Sequence, residues 1–407
     1  MKRLASLCLI VVVIITALFL YGKVTTPPAA TDSNSSPQPA TIDLSSLLQD
    51  RVAVYRLQPT DASRLYGYSL LAADGALTKY KGTGDDVVAA TAGGLVALNL
   101  LPNPTMKAEI GSFFLRHGVK EGSKFYKEGK DVADKVLKIA DLDHYNAYIR
   151  PRSKPHIVLQ NKLSKNFKWV PTGTGDGPLD PAFADINPVI PSASSCSIPS
   201  PTDEEVASEG EAMYKSFDPK AALGKDVLYW LAGVGTSSPS GYWLRIAGFA
   251  ITDYHINKYD ASHLLAEMAI SDYDAGILTW DYKYSVDELR PETFWKLKYG
   301  ASVSILPRDT PNHPSYPSGH SAFSQAAATI LIRYIGNNPI RDVLPPDLYA
   351  GTWKANWPSP QAAVSEASLS RIHAGFHYPM DTKYGQVLGG CIGYNTLSNF
   401  DTMEKGL

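Results

Sequence analysis

The chain has 407 residues, of which 44% are hydrophobic, so it can bury one large core or two adjoining cores. Its 38 basic and 40 acidic residues give a net charge of −2. Because a basic field is the usual electrostatic mark of a nucleic-acid-binding protein, we expect no nucleic acid among its partners. The sequence contains no CxxC, CxxCH or HExxH motif, which argues against the commonest zinc and c-type haem sites.

Residues 1–24 have the pattern of a signal anchor. Lys2 and Arg3 precede an uncharged run at 4–21. That run reaches the roughly 17–25 residues that span a bilayer and exceeds the roughly 7–15 residues of an ordinary signal peptide. No Ala-x-Ala-like cleavage site follows it closely. We therefore expect an exported protein whose body lies outside the cytoplasm, anchored by this single segment, or secreted if the segment is cleaved.

The composition predicts four parts. Pro, Ala, Ser and Thr dominate the stretch after the anchor, and such a stretch cannot bury enough apolar surface to fold. The predicted parts are the signal anchor at 1–24, a flexible linker at 25–47, an N-terminal helical region with a long loop at 48–204, and a C-terminal helical core at 205–407. The core carries the motifs described below.

Apolar residues recur at helical spacing through most of the body, which predicts an all-α bundle. The predicted helices lie at 60–77, 85–101, 106–141, 221–234, 242–260, 261–289, 318–335, 359–373 and 379–394. A further helix is expected to begin at Thr202, because Thr202 and Glu205 have the spacing of a capping box.

Residues 150–204 are rich in Pro, Gly and Ser and interrupt the helical pattern. We expect an ordered loop packed on the surface, and a plain interdomain linker is the alternative. The side chains expected to anchor the loop are Trp169, Val170, Phe183, Ile186 and Ile190.

Three cysteines occur, and Cys8 lies in the predicted anchor. An exported compartment permits a disulfide between Cys196 and Cys391. Two separate thiols are an equal alternative, because sequence does not establish a pairing.

The first motif runs from Lys283 to Arg290 and Pro291. A separation of seven residues is about two helical turns, so both cations could reach one pocket. The proline tends to end the helix and frees Arg290 to bend inward. Taken alone, the pair also fits an ordinary solvated helix face.

The second motif is Pro317-Ser318-Gly319-His320, at the start of a predicted helix. Ser318 is a good N-cap, and Gly319 allows the backbone to approach a ligand closely. The helix N-terminus offers free N–H groups and a positive dipole end, which suit an anion. His320 stands in the first turn, where it could exchange a proton with that anion, although an exposed histidine beside a capped helix start fits equally well.

The third motif contains Arg371, His377 and Asp381. Arg371 ends a predicted helix that Gly375 interrupts, and Pro379 suits the first position of the next helix. His377 thus lies on a tight connection between helices, with the Asp381 carboxylate near enough to fix its tautomer. A surface-turn histidine beside a capping aspartate is the simpler alternative for this segment alone.

Together, the three motifs offer a lysine, two arginines, a hydroxyl, a helix N-terminus and two histidines. Arginine forks and a lysine charge bind a tetrahedral or bipyramidal oxyanion, while histidines can bond its central atom and transfer protons. The motifs do not offer the cluster of carboxylates that divalent metals require. The combination therefore indicates an anion site.

The motifs resemble the signature of the vanadium-dependent haloperoxidases and, more broadly, of the type 2 phosphatidic acid phosphatase superfamily. That signature is K-x6-RP, then PSGH, then SR-x5-H-x3-D, and the chain matches every position and spacing from Lys283 to Asp381. The resemblance is close over about residues 243–394. It implies a helical-bundle fold of the haloperoxidase and acid phosphatase type.

The resemblance also implies a role for each matched residue. His377 would bond vanadium, His320 would act as acid–base, and Asp381 would support His377. The oxygens of vanadate, or of phosphate in a phosphatase, would be held by Lys283, Arg290, Ser318, the amide of Gly319, and Arg371. Vanadate would activate hydrogen peroxide for the oxidation of halide as a Lewis acid, without haem.

Two flanking residues favour a haloperoxidase over a phosphatase. His313 and Trp280 fall where haloperoxidases have residues that line the halide pocket. A histidine at 313 resembles bromide or iodide oxidisers, whereas a tryptophan at 280 matches chloride-oxidising members. A surface histidine and a core tryptophan are the ordinary alternatives.

We therefore predict a vanadate-dependent haloperoxidase that uses hydrogen peroxide and favours bromide or iodide. The alternative is an acid phosphatase that hydrolyses phosphomonoesters through a phosphohistidine at His377. A non-catalytic anion-binding module is a third hypothesis, and the retention of both His320 and His377 argues against it. An oligomer is compatible with the sequence.

Overall fold

The computed structural model is mainly helical and describes residues 38–145, 168–171, 178–300, 310–344 and 353–407. Within it, Gln38–Leu407 form one compact unit. The predicted anchor at 1–24 and the first part of the predicted linker lie outside the described residues. Among the helices that are described, none is long and apolar enough to cross a membrane.

The N-terminal helices build one side of the core. They are α1 (Ala40–Tyr55), α2 (Pro59–Lys79), α3 (Asp85–Leu100), α4 (Pro104–Arg116) and α5 (Lys124–Leu142). Two expectations about this region are wrong. Residues 40–47 are not a flexible linker but the buried start of α1, since Ala40 and Leu44 are fully enclosed. The helix predicted at 106–141 is two helices, because Gly118 and Gly122 adopt positive φ angles between them.

The C-terminal helices complete the bundle. They are α6 (Asp203–Ser216), α7 (Lys225–Tyr229), α8 (Ser238–Asp253), α9 (Lys258–Val286), α10 (Pro291–Tyr299), α11 (Gly319–Ile335), α12 (Pro360–His373) and α13 (Pro379–Glu404). The capping box of Thr202 and Glu205 is confirmed at the start of α6. The helix predicted at 221–234 is wrong beyond Tyr229, where the chain becomes a loop.

Helix α9 is the centre of the molecule. Asn257 caps its start by accepting hydrogen bonds from the backbone N–H groups of Tyr259 and Asp260. Buried residues occur on every side of this helix from Ala261 to Val286, as expected of a helix at the centre of a core. It packs against α2 on one side and α11 on the other, so the N-terminal and C-terminal regions share one core. The boundary near residue 204 stays a prediction.

Helices α11 and α13 lie unusually close together, and glycines on α13 make this approach feasible. A Cβ on Gly389 would stand 2.1 Å from the carbonyl oxygen of Ala322, and one on Gly385 would stand 2.6 Å from that of Ser318. Because no side chain fits there, glycine at these positions lets the backbones touch. The contact holds the N-terminus of α11 against the start of α13, where two of the motifs meet.

A two-stranded antiparallel sheet is the exception to the otherwise all-α architecture that was predicted. Strand β1 (Ile340–Leu344) pairs with β2 (Trp353–Trp357). The fully buried Asp342 fastens the sheet to α8 by accepting two hydrogen bonds from Arg245, at 2.8 and 2.6 Å.

The described part of the Pro-, Gly- and Ser-rich segment is an ordered loop. Short 3₁₀ turns occur at Pro181–Asp185 and Pro191–Ser195. Of the side chains predicted to anchor the loop, four are buried and only Val170 is exposed; the buried ones are Trp169, Phe183, Ile186 and Ile190. A disulfide between Cys196 and Cys391 ties the loop to α13, which resolves the alternative that the sequence left open.

Candidate active site

The three motifs converge although 98 positions separate Lys283 from Asp381. Lys283 lies in the last turn of α9, and Arg290 is the N-cap residue of α10. Ser318 caps α11, and Asp381 lies in the first turn of α13. The expectation that Lys283 and Arg290 share one helix face is wrong, because α9 ends at Val286. Both side chains are nevertheless fully buried and reach the same site.

His377 is held in one orientation by Asp381. Its Nδ1 lies 2.9 Å from Oδ2 of Asp381, and both side chains are buried. The same Oδ2 accepts hydrogen bonds from the hydroxyl of Ser315 at 2.6 Å and from the backbone N–H of Tyr378 at 3.1 Å. These partners assign the proton to Nδ1 and leave the lone pair on Nε2. His377 can thus act as a ligand or nucleophile through Nε2.

Arg290 bridges two histidines. Its Nη1 donates to Nε2 of His377 at 3.0 Å, and its Nη2 donates to Nδ1 of His313 at 3.0 Å. The guanidinium also donates to the carbonyls of Phe376 and His313. A planar fork with five donors is suited to such a bridge. An incoming oxyanion would compete for the Nη1 that now faces His377.

Lys283 points at the loop before α11. Its Nζ donates to the carbonyls of Pro314, Ser315 and Pro317 at 2.9, 2.9 and 2.6 Å. All three ammonium hydrogens are therefore used by the backbone. In this arrangement Lys283 shapes the loop and adds positive charge to the site.

His320 and Arg371 both face the loop after α7. Nε2 of His320 lies 3.2 Å from the carbonyl oxygen of Leu231, and Nη1 of Arg371 donates to the carbonyl of Trp230 at 2.8 Å. Arg371 also stacks on the ring of Phe376. Trp230 and Leu231 fall inside the helix predicted at 221–234, and a backbone carbonyl leaves no signal in side-chain patterns, so their contribution does not follow from the sequence.

Ser318 and Gly319 form the start of α11, as predicted. Ser318 Oγ accepts a hydrogen bond from the backbone N–H of Ser321 at 3.4 Å. A Cβ on Gly319 would meet only ordinary contacts, the nearest being Trp280 at 3.6 Å. The fold itself therefore tolerates a side chain at 319, and the approach of a ligand to Gly319 stays a prediction.

Glu288 is a site residue that sequence reasoning overlooked. It lies two positions before Arg290 and is fully buried against the carboxyl of Asp381. Burial and then the charge of Asp381 raise the pKa of Glu288 well above its usual value. Two buried carboxyls in contact cannot both ionise easily, so they share a proton. A carboxyl inside an otherwise cationic motif was the available signal.

The buried charges of the site fit an anion. Arg290 and Arg371 supply two positive charges, whereas Glu288 and Asp381, which share a proton, supply one negative charge. Burial and then the charge of Arg290 lower the pKa of Lys283 well below its usual value, but its three carbonyl acceptors require the charged ammonium form, which adds a third positive charge. Among the described residues, Nε of the buried Arg371 has no hydrogen-bond partner. Uncompensated buried charge costs several kcal/mol, so a bound oxyanion would stabilise this arrangement. Vanadate and phosphate both match the charge and the donors.

The same positive field acts on the site histidines. Burial, followed by the charge of Arg290, lowers the pKa of His377 well below its usual value. Burial and then Arg371 lower the pKa of His320 in the same direction. Both imidazoles are therefore neutral at neutral pH, so each can accept a proton or offer a lone pair.

His313 and Trp280 lie side by side next to Arg290. Their ring centroids are 5.1 Å apart, and both side chains are buried. Trp280 donates its indole N–H to the carbonyl of Leu179 at 3.1 Å. The structure thus places these residues beside the cationic cup formed by Lys283, Arg290 and Arg371, rather than on the surface. His373, which the motif also contains, instead forms a separate hydrogen bond with Asp226 at 2.8 Å.

Comparison with known proteins agrees with this geometry. Residues 298–406 match the family described as the VCPO second helical-bundle domain. A bacterial vanadium-dependent iodoperoxidase superposes with a TM-score of 0.75 at 20% identity, over 90% of this chain and 98% of that chain. A holo-type bacterial vanadium-dependent chloroperoxidase superposes with a TM-score of 0.69 at 16% identity, over 93% and 97% of the two chains.

Sequence similarity to curated proteins is more limited. Decaprenylphosphoryl-5-phosphoribose phosphatase of Mycobacterium tuberculosis, from strains CDC 1551 and H37Rv, is 33% identical over 85 residues. That match covers 21% of this chain and 37% of the relatives' length. The chain therefore has the fold of the bacterial vanadium-dependent haloperoxidases with which it superposes, and its residues 298–406 match the second helical-bundle domain of that family model.

Proposed function

We propose that the protein is a vanadate-dependent haloperoxidase that oxidises bromide or iodide with hydrogen peroxide. The observation that carries the proposal is the buried cationic cup of Lys283, Arg290 and Arg371 around the lone pair of His377. Support also comes from the shared fold with an iodoperoxidase and a chloroperoxidase. The position of His313 against Trp280 supports a halide pocket at the rim of the cup.

The residues of the chain would divide the work as follows. Nε2 of His377 would bond the central atom, while Asp381 keeps the proton on Nδ1. Arg290 and Arg371 would bind the oxygens, and the charge of Lys283 would help to lower the energy of developing negative charge. His320, which is neutral and lies in the first turn of α11, would accept a proton from peroxide and return it to the leaving oxygen. Vanadate, when bound, would supply Lewis-acid activation of peroxide.

A phosphatase is the second candidate, and one observation favours it. The curated relative with similar sequence is a phosphatase. In that reaction Nε2 of His377 would attack phosphorus, and His320 would protonate the leaving alcohol. The donors that bind vanadate would bind phosphate equally well, so the core site does not separate the two activities.

An assay of the purified protein with vanadate, peroxide and bromide or iodide separates the candidates. The proposal expects halogenation of a phenolic reporter dye that depends on vanadate. Turnover of a phosphomonoester that vanadate inhibits, without halogenation, would establish the phosphatase instead. Anion binding without either activity would indicate a binding module. His377→Ala should abolish whichever activity is present.

We also propose that the reaction takes place outside the cytoplasm. The disulfide between Cys196 and Cys391 supports this location, because such bonds persist in oxidising compartments. Cell fractionation with alkylation of free thiols tests it. Recovery of the protein in the cytosol with both thiols reduced would contradict the proposal.

A further inference from the structure

A second polar cluster lies at the far end of α13, away from the oxyanion site. It joins Asp74 of α2, His263 of α9 and Glu404 of α13. Nδ1 of His263 is 2.8 Å from Oδ2 of Asp74 and 4.0 Å from Oε2 of Glu404. One donor atom from each of the three residues lies within 4.8 Å of the others. Three helices that are distant in sequence therefore present metal-ligand atoms to one point.

The carboxyl oxygens of this cluster do not all receive a hydrogen bond. Asp74 is 1% exposed and Glu404 is 7% exposed. Among the described residues, Oδ1 of Asp74 and Oε1 of Glu404 have no hydrogen-bond donor. The two carboxyls face each other, and burial followed by the charge of Asp74 raises the pKa of Glu404 to about 9, so without an ion they share a proton. Although burial opposes it, the hydrogen bond to Asp74 raises the pKa of His263 to about 9, so a metal ion would also displace the proton on Nδ1. The oxygens nearest Nδ1 of His263 are Oδ2 of Asp74 and Oε2 of Glu404, so one oxygen of each carboxyl could join the imidazole nitrogen as a metal ligand.

The surroundings add more negative charge. Nε2 of His263 lies 3.1 Å from Oδ1 of Asp401 and 3.7 Å from Oε1 of Glu267. Four carboxyls thus surround one imidazole, with Arg333 the nearby cation that acts on Glu267. The side chain of His263 is 25% exposed, which leaves a route for an ion to enter from solvent.

We propose that Asp74, His263 and Glu404 bind a divalent zinc-class ion, independently of the oxyanion site. One imidazole with carboxylates suits zinc, whereas magnesium and calcium prefer oxygen ligands alone. Water would complete the coordination, because Asp401 lies on Nε2, the other nitrogen of the ring. The ion would fasten the end of α13 to α2 and α9, and its role would be structural.

The test uses the full chain, freed of metal and then equilibrated with zinc before gel filtration. We expect wild-type protein to retain about one zinc per chain, and His263→Gln and Glu404→Gln to retain less than about a tenth of that amount. Vanadate is kept saturating throughout, because the histidines of the oxyanion site could otherwise bind zinc. Asp226→Asn is the matched control, since it breaks the comparable His373–Asp226 pair, and it should retain zinc like wild type.

Two measurements on wild-type protein do not depend on how well the variants fold. Zinc should raise the Tm of the metal-free protein by about 3 °C, while magnesium should not. Anomalous scattering at the zinc edge should place the ion at Nδ1 of His263. Failure of wild type to retain zinc, or an ion located at His320 or His377 instead, would overturn the proposal and leave a carboxyl pair that shares a proton.

Discussion

Nη1 of Arg290 lies 3.0 Å from Nε2 of His377, so an arginine of the site occupies the nitrogen that would face a bound oxyanion. This contact is a hydrogen bond between a cation and a lone pair that the proposed ligand also needs. Binding must therefore redirect Nη1 from His377 to an oxygen of the anion. Arg290 would act as a gate at the ligating nitrogen as well as a binding group.

Arg290→Lys should weaken vanadate or phosphate binding by about 10–100-fold, because lysine keeps the charge but loses the planar fork. Isothermal titration of vanadate into each protein measures the effect. Arg341→Lys is the matched control, since Arg341 forms only an exposed ion pair with Asp253 and should bind as wild type does. Equal affinities for wild type and Arg290→Lys would show that the fork takes no part in binding.

The motifs predicted which residues meet but not how they meet. The spacing of Lys283 and Arg290 suggested one helix face, yet α9 ends at Val286 and Asp287 takes a left-handed conformation. Arg290 instead enters from the N-cap of α10, where the following proline had been expected to free it. Residue types can thus predict which side chains line a pocket. The direction from which each side chain enters depends on where helices end, and helix propensity places those ends poorly.

Other parts of the site were beyond sequence reasoning for a physical reason. Trp230 and Leu231 contact Arg371 and His320 through their backbone carbonyls, so their side chains give no indication of this contact. The pairing of Cys196 with Cys391 depends on a fold in which 195 positions separate the partners. The fold class, by contrast, was predictable, because long amphipathic or fully apolar segments have few alternatives to helices.

Glu288 offers a test of the shared proton beside His377. Glu288→Gln keeps a donor beside the carboxyl of Asp381, whereas Glu288→Leu removes it. We therefore expect the Gln variant to retain activity and the Leu variant to lose about 10-fold or more. Both kcat and the binding of vanadate should be measured across pH.

Anion binding should weaken at alkaline pH if Glu288 and Asp381 share a proton. Because the pKa of Glu288 is raised by burial and by Asp381, its carboxyl holds the proton at neutral pH and loses it as pH increases. The second negative charge should then weaken anion binding by wild type at alkaline pH. The Gln variant has no such proton and should show a flatter alkaline limb. Identical limbs in the two proteins would argue against a shared proton.

His313 should determine halide preference more than overall activity. It packs on Trp280 and accepts a hydrogen bond from Arg290, so it links the rim of the cup to the oxyanion donors. His313→Phe should keep the packing and remove the acceptor. Bromide is harder to oxidise than iodide, so we expect the ratio of kcat/KM for bromide to that for iodide to fall by about tenfold.

Two further variants complete that measurement. His313→Ala removes both the ring and the acceptor and should change the ratio in the same direction. His373→Ala alters a histidine that is paired with Asp226 instead, and it should leave the ratio as in wild type. If the ratio is the same in all four proteins, His313 gives no reason to favour a haloperoxidase over a phosphatase.

Asp274 should make the stability of the protein depend on pH. Its carboxylate accepts hydrogen bonds from the backbone N–H groups of Val189 and Ile190, at 2.7 and 2.9 Å, and so holds the loop on α9. Burial raises its pKa to about 7. Between pH 4 and pH 7 the folded protein therefore keeps a proton that the unfolded chain releases. The free energy of unfolding must fall as the pH rises through this range and level off above it.

Urea unfolding of wild type and Asp274→Asn across pH 4–8 measures this slope. The advantage of wild type over the variant should shrink by up to about 4 kcal/mol from pH 4 to pH 7.5. Asp253→Asn is a control without a slope in this range, because the hydrogen bond from Arg341 lowers the pKa of Asp253, so its stabilisation is complete above about pH 4 and is lost only at lower pH. A pH-independent difference between wild type and Asp274→Asn would mean that the two backbone N–H groups keep this carboxylate ionised in the folded protein.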